Sequence, residues 1–77
     1  MGSQLRLVEI TREPVELYKV LKFEGLVSSG GEAKIVISEG LVLVNGKVET
    51  RKRKKIVSGD TIEFSGETFQ IQCENRS

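Results

Sequence analysis

The chain has no histidine and no tryptophan, and only one cysteine, one proline and one tyrosine. Each shortage excludes something. Without histidine, the commonest general acid and base at neutral pH is missing, and with it the usual base of serine and cysteine triads. The lone Cys73 forms no internal disulfide and cannot build a metal site by itself. It fits a reduced, cytoplasmic setting, and it reads as a small apolar strand residue rather than a reactive thiol. The longest unbroken apolar run, Leu41 to Val44, is far too short to cross a membrane. No basic stretch followed by an apolar core marks a signal peptide. Carboxylates are plentiful, but no nucleophile has a plausible base beside it. The expectation is a protein without catalytic activity, cofactor or metal.

What is present describes one small domain. A chain of 77 residues buries only about 60% of the surface it exposes when unfolded. Apolar residues make up 38% and charged residues 30%, too apolar for a disordered chain. The formal net charge of +1 hides a segregated distribution. Residues 1 to 33 sum to −1 and residues 56 to 77 to −3, whereas residues 34 to 55 carry +5. Most of that comes from the consecutive cations Arg51, Lys52, Arg53, Lys54 and Lys55. A solvated loop needs no such clustering. A polyanion rewards it through counterion release, so the run reads as a phosphate-binding patch. A membrane-surface role is the weaker reading, because the run follows a hairpin signal rather than lying on an amphipathic helix.

Along the chain, Gln4 to Ile10 alternates Leu5 and Leu7 around Arg6, which predicts a short strand. Pro14 suits the first turn of a helix over Val15 to Phe23, with Leu17, Val20 and Leu21 as its apolar stripe and Glu13 and Glu16 near its positive end. Gly25 fits the C′ position. Ser29 and Glu32 match a capping box for a second helix, Gly30 to Glu39, with Ala33, Val36 and Ile37 apolar and Ile35 widening the stripe. Gly30 and Gly31 each cost that helix about 1 kcal/mol relative to alanine, so helix crowding or, less simply, a ligand must explain them. Leu41 to Val44 reads as a strand, Asn45-Gly46 as a hairpin turn, and Lys47 to Glu49 as the return strand. Ser58 to Asp60 is a turn. Thr61 to Phe64 and Thr68 to Cys73 are strands, with Phe64 and Phe69 as core residues, and the tail over residues 74 to 77 should fray.

Two motifs then stand out: Gly-Leu-Val-Leu-Val-Asn-Gly at residues 40 to 46, and Val-Ser-Gly-Asp-Thr-Ile at residues 57 to 62. Together with Gly25-Leu26-Val27, Ser29, Ala33 and Ile37, they resemble the RNA-binding domain first recognised in small-subunit ribosomal protein four, the alpha-L motif. The resemblance spans about half the chain, with a family core over residues 15 to 64, and the whole chain looks like a small stand-alone bacterial member. It implies an α+β fold: two short helices packed against a small, mainly antiparallel β-sheet, with a leading N-terminal strand. It also implies RNA contacts from Ser29, Gly30 and Lys34 on the second helix, Lys47 beside the hairpin, and Arg51, Lys52, Arg53, Lys54 and Lys55. Many relatives have Ser-Arg where this chain has Ser29-Gly30, so one phosphate-contacting cation is missing here.

The expected partner is structured RNA, ribosomal or transfer RNA, bound by a monomer. With few aromatics and none read as exposed, single-strand capture by stacking is disfavoured. DNA remains open as a ligand, and so does an acidic protein docking on the same patch.

Overall fold

Apolar residues alternate with polar ones in the first and last strands, and this pattern ties the two ends of the described chain together. The computed structural model describes residues 5–74. Its elements run β1 (Leu5–Ile10), β2 (Val15–Glu16), α1 (Leu17–Phe23), α2 (Gly30–Ser38), β3 (Val42–Val44), β4 (Lys47–Val48), β5 (Lys55–Ile56), β6 (Thr61–Phe64) and β7 (Glu67–Cys73). Five strands form one sheet in the order β1-β7-β6-β3-β4, while β2 and β5 make a separate two-stranded ribbon. The α+β architecture is as expected. One pairing breaks the antiparallel pattern: β1 lies parallel to β7, from Leu5 opposite Thr68 to Ile10 opposite Cys73.

One face of the sheet is buried. Val8 and Ile10 from β1, Phe69 and Ile71 from β7, Ile62 from β6, and Val42 and Val44 from β3 pack with Leu17, Val20 and Leu21 of α1 and Ala33 and Ile37 of α2. Both helices end in the same way. The N–H groups of Gly25 and Leu26 return to Lys22 and Leu21, and those of Gly40 and Leu41 return to Ile37 and Val36. Both glycines take φ near +75°, at +72° and +78°, which completes a Schellman cap that a residue with a Cβ would strain.

Several local expectations are corrected. In β1 the buried face is Val8 and Ile10, and Leu5 and Leu7 point to solvent. Arg6 takes the inner side, its guanidinium 5.5 Å from the centre of the Phe69 ring and 2.9 Å from Glu67. The first helix starts at Leu17, because Val15 and Glu16 are drawn into pairing with Ile56 and Lys55. Pro14 therefore precedes the ribbon rather than opening the helix, and the Glu13–Pro14 peptide is cis. Leu41 belongs to the cap of α2 and is exposed, so β3 begins at Val42. On α2, Ile35 is exposed and does not widen the stripe. Phe69 is buried, while Phe64 is half-buried against the core. Of the tail expected to fray, Glu74 donates its N–H to the Ile10 carbonyl at 2.8 Å. Gln4 and residues 75–77 lie outside the described residues.

Candidate nucleic-acid interface

The first N–H groups of a helix have no partner inside it. At the start of α1, Glu16 supplies no side-chain cap. The basic run supplies backbone instead: Leu17 N–H donates to the Lys54 carbonyl at 2.9 Å and Tyr18 N–H to the Lys52 carbonyl at 3.1 Å. Lys54 N–H closes a turn onto the Arg51 carbonyl, and Lys55 and Ile56 continue as β5 against β2. Beyond the ribbon, Glu13 accepts the Ser58 N–H and Asp60 accepts the Val57 N–H. The run is thus held along its length, with its Lys52 and Lys54 carbonyls turned toward the helix. With Ser38 and Thr50, its five residues line a shallow depression of about 570 Å³.

The five cations are not equivalent. Arg51 donates from Nε to Glu49 at 2.9 Å, and its backbone N–H reaches the same carboxylate oxygen at 3.1 Å. The guanidinium lowers the Glu49 pKa below the usual carboxylate value, and Glu49 in turn raises that of Arg51. Lys52, Arg53, Lys54 and Lys55 make no ion pair among the described residues. Their charge is available to a ligand.

At α2, the capping box is shifted by one residue. The Ser29 hydroxyl accepts the Glu32 N–H at 3.1 Å as expected, but the Glu32 carboxylate reaches Ser28, accepting its N–H at 2.8 Å and its hydroxyl at 2.7 Å. Those two bonds hold the Glu32 pKa below the usual value. The positive end of α2 therefore already faces a carboxylate. Crowding does not explain the two glycines: a Cβ on Gly30 would sit 3.8 Å from the Tyr18 ring, and one on Gly31 would meet only the Ser29 hydroxyl at 3.8 Å.

Lys34 is half-buried, with its ammonium 4.9 Å from the centre of the Tyr18 ring, a cation–π contact. Tyr18 is the residue that sequence reasoning missed. Its backbone holds Lys52, and its ring meets Lys34 and faces Gly30, so it joins the run to the second helix. Its place beside Leu17, at the edge of the α1 stripe, was the available signal. Lys47 stands apart on the short edge strand β4, exposed, with no side-chain hydrogen bond or ion pair among the described residues.

The two sequence motifs prove to be a clasp. Asn45 and Gly46 take φ of 54° and 83°, the signature of a type I′ turn. Asn45 exchanges bonds with Thr61, its N–H donating to the Thr61 carbonyl at 2.7 Å and its Oδ1 accepting the Thr61 N–H at 2.9 Å. Its Nδ2 donates to Asp60 at 3.1 Å. These residues fix the two turns to each other rather than facing a ligand. The expectation of no exposed aromatic is overturned by Phe23, which is 68% exposed at the end of α1 and does not line the basic depression. Among the described residues no group of three acidic, cysteine or histidine side chains converges on a metal position, and no helix is long and apolar enough to cross a membrane.

The comparisons with known proteins agree with this architecture. The S4 domain family matches residues 8–72. YbcJ of Escherichia coli (strain K12) is 56% identical over 57 residues, covering 74% of this chain and 81% of its own. RlbA of Bacillus subtilis (strain 168), named as a probable ribosome maturation protein, is 37% identical over 65 residues, covering 83% of this chain and 92% of its own. The solution structure of YbcJ from E. coli, described as revealing an alfaL motif involved in RNA-binding, superposes with a TM-score of 0.68 at 46% identity. The match covers 94% of this chain and 92% of that one. The clasped turns, the paired helices and these matches together show that the chain belongs to the S4 domain family, with its alpha-L RNA-binding motif.

Proposed function

We propose that this protein binds structured RNA, ribosomal RNA above all, by gripping phosphates with Lys52, Arg53, Lys54 and Lys55, and that it does so without catalysing a reaction. The observation that carries this reading is the bonding of the run's carbonyls to the first N–H groups of α1. Four unpaired cations are held on a braced backbone, so little ordering entropy opposes contact with a polyanion. Lys34, fixed against Tyr18, extends the surface onto the second helix, and Lys47 adds charge at the sheet edge. Ser29 and Gly30 play a smaller part than their place in the motif implies, because a phosphate at that helix end would compete with Glu32. A scatter of lysines and arginines reads backbone shape rather than base identity, which suits a folded RNA. The relation to a ribosome maturation protein favours ribosomal over transfer RNA.

The test is binding of a ribosomal RNA hairpin across a salt series. For the native chain, log affinity against log salt should be steep. Arg53→Ala should lower the slope by about 1, the loss of one phosphate contact, whereas Arg51→Ala, which removes a side chain engaged by Glu49, should change it much less. If the folded native chain does not bind even at low salt, the reading is wrong, and an acidic protein becomes the partner to seek. Duplex DNA of the same sequence, run in competition, separates recognition of RNA from a general affinity for polyanions.

A further inference from the structure

The β1 edge of the five-stranded sheet is open, and a groove runs beside it. The Ile10 carbonyl accepts the Glu74 N–H, so Ile10, and by alternation Val8 and Arg6, direct their backbone groups at β7. Leu5, Leu7 and Glu9 must then direct theirs away from the sheet. Among the described residues nothing bonds to those N–H and C=O groups. Natural edge strands are usually guarded by charged side chains, proline, a bulge or a covering loop. Residues 5 to 10 contain neither lysine nor proline; Arg6 is held by Glu67 beside the Phe69 ring, Glu9 is the one other charge, and Leu5 and Leu7 are 64% and 56% exposed, so the edge is lightly guarded.

Beside this edge, β1 and α1 enclose a groove of about 570 Å³ whose apolar wall includes Val8, Ile10, Val15, Val20 and the exposed Phe23. Glu9, Glu16 and Glu24 also line it, and its cations are Arg12, Lys19 and Lys55, with Lys19 already near Glu16. The groove adjoins the Val8 to Ile10 half of the open strand, and an open edge with side-chain pockets beside it is the arrangement by which a sheet captures an extended peptide.

We infer that the β1 edge and the adjoining groove form a second binding site, whose ligand is an extended segment of another protein that adds to the sheet as a sixth strand. Its backbone would bond to Leu5, Leu7 and Glu9, and alternate apolar side chains would enter the groove against Val8, Ile10 and Phe23. Two other occupants fit worse. RNA has no alternating amide donors and acceptors to match the edge, and the groove's three cations are offset by three carboxylates, leaving no excess positive charge for a polyanion. A second copy pairing β1 with β1 antiparallel, with the buried faces on the same side, must join residues of equal parity. Its central registers set Arg6 opposite Arg6, or Glu9 opposite Leu5 or Leu7, so none matches the charges. The inference stands independently of the RNA reading.

The probe is a short synthetic peptide alternating valine and threonine, with a lysine at each end, titrated into the isotope-labelled protein and followed by NMR. The expected result is shifts and slowed amide exchange at Leu5, Leu7 and Glu9, with accompanying shifts at Val20 and Phe23. A counterpart peptide with proline at its centre should bind at least tenfold more weakly. Two variants test the geometry. Leu7→Pro removes only an outward N–H, which an edge strand tolerates, and Phe23→Lys changes only an exposed side chain. Both should remain folded, lose at least tenfold in peptide affinity, and bind RNA as the native chain does. Shifts confined to residues 51–55, equal binding of the proline peptide, dimerisation of the free protein through β1, or no binding at all would overturn the inference.

Discussion

Arg51 and Arg53 sit two residues apart in an unbroken basic run, yet only one is committed inside the molecule, because Glu49 lies within reach of Arg51. Position 30 shows the complementary case, a place where charge is absent but space is not. A side chain there meets Tyr18 only at ordinary contact distance, and the backbone is not in the left-handed region. Gly30→Arg should therefore fold. It should raise affinity for an RNA hairpin severalfold and steepen the salt slope by about 1, as measured in the same salt series. Glu32 carries a pH dependence. Its pKa is depressed in the folded state, so its contribution to stability is full above the ordinary glutamate value and is lost as pH falls through the folded value. NMR titration should find Glu32 protonating below the ordinary glutamate value. Glu32→Gln should flatten the acid limb of stability against pH, and an unchanged limb would show that Ser28 gives the carboxylate nothing.

At the scale of elements, the clasp between the β3–β4 hairpin and the turn before β6 is the most economical test of structure against function. Asn45→Ala removes side-chain bonds to Asp60 and Thr61 and places alanine at a positive φ. It should cost about 1–3 kcal/mol, lowering the thermal midpoint by roughly 4–8 °C for each kcal/mol in a domain this small, while RNA affinity measured well below the midpoint stays unchanged. A variant that keeps its midpoint but loses RNA would make Asn45 a contact residue instead. The same elements show what was legible in the sequence. Asn45-Gly46, the Gly25 and Gly40 caps and the apolar stripe of α1 are local signals, and each element they imply is present, within a residue or two. The β2–β5 ribbon was not legible. Val15 and Glu16 fit a helix by composition, and only the tertiary pairing with Ile56 and Lys55, about 40 residues away, overrides that. The inner face of β1 was misread for a similar reason: Arg6 interrupts the buried side, and its partners Glu67 and Phe69 lie at the far end of the chain. Of the site, the run itself was plain in the charge pattern. Its brace was invisible, because main-chain carbonyls leave no trace in side-chain identity, and Tyr18 joins two segments whose contact no local rule specifies.

For the whole molecule, a net charge of +1 is a small remainder between sectors of opposite sign. Like charges packed along residues 52 to 55 repel one another in the folded state, and added salt screens that repulsion as it screens the attraction for RNA. Raising salt from low ionic strength should therefore raise the thermal midpoint of the free protein by a degree or two while weakening RNA binding. If both fell together, the run would be stabilised by internal ion pairs that salt disrupts. The parallel pairing of β1 with β7 bears on how the molecule is made. Leu5 finds its partner at Thr68, so the leading strand cannot dock until nearly the whole described chain has left the ribosome. Contacts this distant in sequence carry a large loop-closure cost and slow folding. Until then both edges of β1 are open, with Leu5 and Leu7 already exposed. β1 is thus the first of the described strands to be made and must wait for the last, β7, before it can pair, so Val8 and Ile10 stay in water longer than the apolar residues of any other strand.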